Sequence, residues 1–179
     1  MSLLDDFRAR LRPWSDIQDC MERLYNWTAA CPGARVLELG VRSGNSTAAF
    51  LAAAEEADGH VWSIDIEPPQ VPAWWLGCGR WTLTVGDDMI VTPPARQFDI
   101  LFIDSSHRYA HTVSELRRFV PLVVAGGRVW LHDTRLGHVD GEEVPFPVAR
   151  ALDVFCEETG HAWTDHEART GLGEIVIPS

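Results

Sequence analysis

A chain of 179 residues, 46% apolar and 23% charged, has the make-up of a globular domain with a sizeable core, which excludes a disordered or fibrous polymer. A net charge of -11 argues against nucleic acid phosphates or anionic membranes as partners and leaves small molecules. The four cysteines, Cys20, Cys31, Cys78 and Cys156, form no C-x-x-C pair; no stretch is apolar enough to span a bilayer, and acids follow Met1 where a signal peptide carries bases. The expectation is a cytoplasmic protein with reduced thiols.

In chain order, Leu3, Leu4, Phe7 and Leu11 recur at helical spacing. After Pro13 a second helix is predicted to open at Ser15, with Gln18 placed for a capping box and Ile17, Met21, Leu24 and Thr28 on one face. It stops at Cys31-Pro32-Gly33, so residues 1–30 are helices ahead of a core at 34–179, all within one domain spanning 1–179. The apolar run Val36-Leu37-Glu38-Leu39 is a strand that delivers Gly40 and Gly44 to a turn, with Asn45 or Ser46 placed to cap the helix over 48–57. Val61 to Ile66 is the next strand, completing a βαβ unit. Residues 67–79 are too rich in proline and glycine for a long helix and read as an irregular crossover in which Trp74 and Trp75 pack.

Trp81–Val85 and Phe98–Asp104 are the third and fourth strands, the latter apolar enough to be covered on both faces. Val113, Leu116, Phe119, Val120 and Val123 give the following helix its stripe, and Ala125-Gly126-Gly127 is expected to end it before strand Arg128–Leu131. A polar loop from Thr134 to Pro147 leads to a last helix with Val148, Ala151, Leu152 and Phe155 inward. Runs 161–167 and 172–177, joined by Ala168–Gly171, read as a closing hairpin. The count is seven strands in an α/β fold, mostly parallel, with helices on both faces and an antiparallel hairpin at the end.

Open parallel sheets bind ligands beyond the carboxyl ends of their strands, and Glu38, Asp65, Asp87, Asp104 and Asp133 all fall there. Without partners such acids repel one another, so cations or hydroxyls are expected between them. The glycine turn reads as a cofactor loop, although it lacks the second glycine of the nicotinamide fingerprint. Glu38, at the end of a buried strand, needs a partner, for which a cationic or hydroxyl-rich ligand serves. Asp65 stands about 20 residues after the turn, where a carboxylate accepts from both hydroxyls of a ribose. Asp87 and Asp88 are placed to accept from an adenine amino group, or else to cap a helix.

From the second helix to the hairpin the chain resembles the class I S-adenosylmethionine-dependent methyltransferases. Glu38-Leu-Gly-Val-Arg-Ser-Gly44 is similar to their first motif, Ser63-Ile-Asp65 to the ribose-binding acid and Gly86-Asp87-Asp88 to the adenine-side motif. Phe102-Ile-Asp104-Ser-Ser-His107-Arg-Tyr109 and the run from Pro121 to His132-Asp133-Thr134 resemble more narrowly methyltransferase family 24, whose relatives include metal-dependent O-methyltransferases. The resemblance implies a Rossmann-like fold and S-adenosylmethionine held by Glu38, Gly40, Arg42, Ser43, Gly44, Ser46, Asp65, Ile66, Gly86, Asp87, Asp88 and Asp104. It also implies a magnesium-type or other divalent cation on Asp104 and Asp133, with His132 beside them. His132 and Thr134 depart from the second acid or amide that metal-dependent relatives carry there. His107 matches the base that takes a hydroxyl proton, a role that suits an ordinary imidazole, mostly neutral at pH 7. The partner implied is a small-molecule hydroxyl acceptor, with no nucleic acid or membrane and a homodimer left open. The rival readings are a nucleotide- or nicotinamide-binding protein of similar shape and a non-catalytic domain of this fold.

Overall fold

The computed structural model describes residues 2–93 and 97–179. Seven strands, β1 Arg35–Leu39, β2 His60–Asp65, β3 Trp81–Val85, β4 Phe98–Ile103, β5 Val123–His132, β6 Trp163–His166 and β7 Leu172–Val176, form one sheet in the order β3-β2-β1-β4-β5-β7-β6. The first five strands run parallel, and β7 lies antiparallel between β5 and β6, so the predicted seven-stranded, Rossmann-like architecture with a terminal hairpin is what forms. No described helix is long and apolar enough to cross a membrane.

Strand alternation sorts the core into two layers. Val36, Val61, Ile100, Phe102 and Trp130 face α1 (Leu3–Arg10), α2 (Gln18–Ala29) and α3 (Asn45–Ala57). Leu37, Leu39, Ile64, Leu101, Ile103, Val129 and Leu131 face α4 (Tyr109–Phe119) and α5 (Pro147–Thr159) on the other side. Helix α3 is buried all round from Ser46 to Ala54, and its run of alanines lets it lie close to the sheet beneath the first two helices. The same alternation directs the polar side chains: Glu38 shares the face of Val36, and Asp104 and His132 share the face of Phe102 and Trp130.

Several local expectations are corrected. The capping box forms at α1, where Ser2 and Asp5 cap reciprocally, whereas α2 begins at Gln18 with no side-chain cap. Neither Asn45 nor Ser46 caps α3; Gly44 takes that position at φ 78°, a left-handed conformation that glycine adopts without strain. Ala125-Gly126-Gly127 does not end a helix. Helix α4 stops at Phe119, Val120–Leu122 make one 3-10 turn, and β5 starts at Val123. The glycines lie inside β5, where Gly126 at φ 78° accompanies a register shift against β4.

Candidate functional site

A cleft of about 810 Å³ opens beyond the carboxyl ends of the parallel strands. Its walls are the loops after β1 to β5, closed on one side by Trp14, Ser15 and Asp16 from the α1–α2 connection and by His111 from α4. Of the residues expected from sequence, Gly40, Arg42, Ser43, Asp65, Ile66, Gly86, Asp87, Asp88, Asp104, His107 and Asp133 line it. Glu38, Gly44, Ser46 and His132 do not.

The loop after β1 is built by close approach. Gly40 stands at φ 90°, and a β-carbon there would lie 2.1 Å from the carbonyl oxygen of Asp104, so a side chain is excluded where β1 and β4 end together. Gly44 faces away from the cleft: a β-carbon there would meet Trp75 and Val71 at 2.7 Å. Its glycine is required for packing rather than for a ligand. Beneath the loop, Arg10 donates to the carbonyl of Ser43 at 2.7 Å and to Asn45 Oδ1 at 3.1 Å, with its guanidinium over the Trp75 ring. Sequence reading missed Arg10, because nothing in α1 alone shows which later loop it will meet.

Glu38 is a correction of the same kind. Alternation in β1 aims it at α3 and not at the strand tip, and it is fully buried, accepting from Ser46 at 2.7 Å, Thr47 at 2.8 Å and its register partner Ser63 at 2.6 Å. Ser46 is spent on this bond. Ser63 in turn accepts from the Trp81 indole at 2.9 Å, so a polar chain ties β1, β2, β3 and α3 together. Burial pushes the Glu38 carboxyl up to about 7 despite its three hydroxyl donors.

Asp65, at the tip of β2, accepts from the backbone N–H groups of Val41 at 2.7 Å and Arg42 at 2.9 Å on one oxygen and from Glu67 N–H at 3.0 Å on the other. One oxygen is therefore committed to the loop, and the other takes a single backbone N–H. Ile66 beside it is 72% exposed and offers the cleft an apolar face. Asp87 caps its own turn by accepting from Met89 N–H at 2.8 Å. Asp88 turns toward α4, where its carboxylate and that of Glu115 hold His111 up to about 10. The mutual repulsion expected of the strand-end acids is thus relieved in large part by groups of the protein itself.

At the β4–β5 end, Asp104 Oδ1 lies 2.9 Å from His107 Nε2 and 3.3 Å from His132 Nδ1. His107 Nε2 also lies 3.3 Å from Asp133 Oδ2, so one imidazole nitrogen bridges two carboxylates. His107 and Asp133 both stand at positive φ, 55° and 63°, and such strain in non-glycine residues gathers where the surrounding fold over-determines geometry. Burial pushes the Asp104 carboxyl up, but the bonds from His107 and His132 outweigh it and hold the group well below the carboxylate range. His107 is lowered by burial and raised further by Asp104 and Asp133, ending above the ordinary imidazole value. The expectation of an unperturbed histidine is corrected accordingly. His132, 1% exposed and hydrogen-bonded through Nε2 to Thr170 at 2.8 Å, is likewise raised against its burial, to about 9. Asp133 is raised by burial. Donor atoms of Asp104, His107 and Asp133 all lie within 4.8 Å of one another, a set that fits a divalent cation.

A family model described as a methyltransferase domain matches residues 37–134, more than half of the chain. Among curated proteins none matches in sequence. Solved structures of similar shape include the O-methyltransferase TomG of Streptomyces achromogenes, in complex with SAM, at 16% identity and TM-score 0.72, covering 100% of this chain and 91% of that one. The SAH-bound methyltransferase PaMTH1 of Podospora anserina is 16% identical with TM-score 0.71, covering 99% and 88%. MycE of the mycinamycin biosynthetic pathway, solved with Mg, SAH and mycinamycin VI, is 17% identical with TM-score 0.70; the match covers 99% of this chain and 55% of MycE. With the family model spanning β1 to the end of β5, the strands that build the cleft, the chain belongs to the methyltransferase domain family, of the class I, S-adenosylmethionine-dependent type.

Proposed function

We propose that the protein methylates a hydroxyl group of a small molecule, with His107 as general base. The observation that carries this reading is the placement of His107: its Nε2 is held by Asp104 at 2.9 Å, and the ring lines the same cleft as Gly40, Asp65, Ile66 and Asp87. A cleft of about 810 Å³ is within the size range of small-molecule sites, and the complexes of TomG with SAM and of PaMTH1 with SAH support the choice of cofactor.

Bound S-adenosylmethionine would supply an electrophilic methyl group to the acceptor oxygen. The work of the chain is positioning and proton removal. With Nε2–H donated to Asp104, Nδ1 of His107 is the basic nitrogen, and the acceptor's proton passes to it. Asp65 keeps one oxygen with spare acceptor capacity for a ribose hydroxyl, Asp87 stands at the adenine side, and the exposed Ile66 offers an apolar face to a flat ring. Asp104 and Asp133 would hold a divalent cation, which as a Lewis acid would lower the pKa of an acceptor hydroxyl. The Mg in the MycE complex supports that reading. Trp14, 72% exposed at the mouth, presents an indole to the acceptor side.

The test is calorimetry with S-adenosylmethionine and its demethylated product, followed by incubation of hydroxylated acceptors with labelled methyl donor. Binding of both cofactor forms and label transfer to oxygen is the expected result. A folded protein that binds neither form overturns the reading.

A further inference from the structure

A second cluster of donors lies between the turn after β3 and α4, outside the chemistry assigned above. We propose that Asp88, His111 and Glu115 form a binding site for a first-row divalent cation of the zinc type, distinct from the Asp104–Asp133 pair.

His111 and Glu115 stand four residues apart on α4, hence on one face, and Asp88 is brought opposite them by the turn after β3. His111 Nε2 lies 3.1 Å from Asp88 Oδ1 and 3.6 Å from Glu115 Oε1, and one donor atom from each residue lies within 4.8 Å of the others. Four-coordinate zinc with bonds of about 2.0–2.1 Å to nitrogen and oxygen spaces its ligand atoms by about 3.3 Å, which these separations straddle.

The carboxylates are not merely an acidic patch. Glu115 is fully buried and its Oε2 has no hydrogen-bond partner among the described residues; Oε1 takes one from Ser105 Oγ at 2.6 Å. Asp88, 8% exposed, meets the His111 ring nitrogen with both oxygens, Oδ2 in a hydrogen bond at 3.3 Å and Oδ1 at 3.1 Å. A charged His111 ring offsets the two carboxylates but leaves Glu115 Oε2 buried without a hydrogen bond among the described residues; a metal ion that displaces the ring proton would be shared by all three side chains. Neither arginine of α4 serves: Arg117 pairs with Glu158, and the Arg118 guanidinium donates to the carbonyls of Met89 and Val91. Those bonds pin the turn after β3 to α4 and hold the three donors in place.

Donor type selects the ion. An imidazole with two carboxylates suits zinc, cobalt or manganese better than magnesium or calcium, which prefer oxygen throughout. Asp88 and His111 also line the cleft, so a fourth coordination position opens toward it and is available to water or to a bound ligand.

Cobalt(II) is the probe, read by its visible absorption as chelator-treated protein is titrated. The Asp133→Asn variant serves as background, because asparagine tolerates the positive φ there while the carboxyl-edge pair is broken. This variant is expected to bind one Co²⁺ per chain with the bands of low-coordinate cobalt, and adding His111→Ala or Glu115→Gln is expected to weaken binding at least tenfold with circular dichroism unchanged. A folded background variant that binds no Co²⁺, or binding that both substitutions leave intact, overturns the proposal. Should His111→Ala fail to fold, the proton resonances of the His111 ring in the background variant decide: they must shift with Co²⁺, and a ring unmoved by the ion overturns the site.

Discussion

Asp65 holds the backbone of Arg42 in a left-handed turn. The carboxylate oxygen that accepts Arg42 N–H at 2.9 Å also accepts Val41 N–H at 2.7 Å, and Arg42 stands at φ 53° with its side chain reaching Asp16 at 3.1 Å. Two strands that are neighbours in the sheet, β1 and β2, are thereby joined at their tips by a charged acceptor, and the first wall of the cleft takes its shape from that bond.

Replacing Asp65 by alanine removes these two hydrogen bonds and the one from Glu67 N–H, and leaves Arg42 strained without support. Hydrogen bonds to charged groups are worth about 1.5–3 kcal/mol, so cofactor affinity is expected to fall about 10- to 100-fold in calorimetry. Asp58→Asn is the control, since asparagine accepts the φ of 55° there and the exposed pair with Arg80 contributes little. Equal effects of the two substitutions would remove Asp65 from the site.

Glu38 makes a prediction about stability. Its folded-state value is raised by burial to about 7, above the ordinary 4.5, so the folded protein keeps a proton that the unfolded chain has lost. The contribution is fully present below pH 4.5 and is lost as pH rises through 7, at up to about 1.4 kcal/mol per pH unit. Glu38→Gln keeps the shape and cannot titrate. The wild type is expected to lose stability between pH 5 and about 7.5 in denaturant titrations relative to the variant. Parallel pH profiles for the two proteins would contradict the assignment.

The carboxyl-edge acids were legible because each closes an apolar run, and parallel strands bring such ends to one side whatever the loops do. Their partners were not legible. Glu38 stands one position before the end of β1, and alternation sends it under α3, which strand length alone did not reveal. Ala125-Gly126-Gly127 carries the composition of a helix stop, yet serves as an irregularity within β5, because pairing with β4 outweighs the local signal. Arg10 and His111 project from helices toward loops distant in the chain, and the choice of helix face is made by tertiary packing.

Chelation addresses Asp104 and Asp133. Their oxygens converge on the His107 nitrogen at 2.9 and 3.3 Å, a place a dication can share. Treatment with chelator is expected to lower turnover without abolishing it, and added Mg²⁺ to restore it, while Asp133→Asn reproduces the loss with cofactor affinity kept. Turnover indifferent to chelator and to Asp133→Asn would leave these carboxylates the sole task of holding imidazolium.

His107 carries the last prediction. If it removes the acceptor proton, His107→Ala lowers kcat by about 10²–10⁴-fold while S-adenosylmethionine still binds, since the ring makes no bond that holds the Gly40 loop. Only the neutral ring accepts a proton, and Asp104 and Asp133 favour the charged one against the lowering effect of burial. Without added metal the acid limb of kcat/KM is therefore expected above the ordinary imidazole value of 6.5. Mg²⁺ on the two carboxylates cancels their pull and adds positive charge beside the ring, so the limb should move to lower pH as the ion is titrated in. In this arrangement the cation assists twice, by activating the hydroxyl and by freeing the base that receives its proton. A kcat unaffected by His107→Ala, measured on an accepted substrate, would take the proton transfer away from this histidine and leave the cofactor cleft without its assigned base.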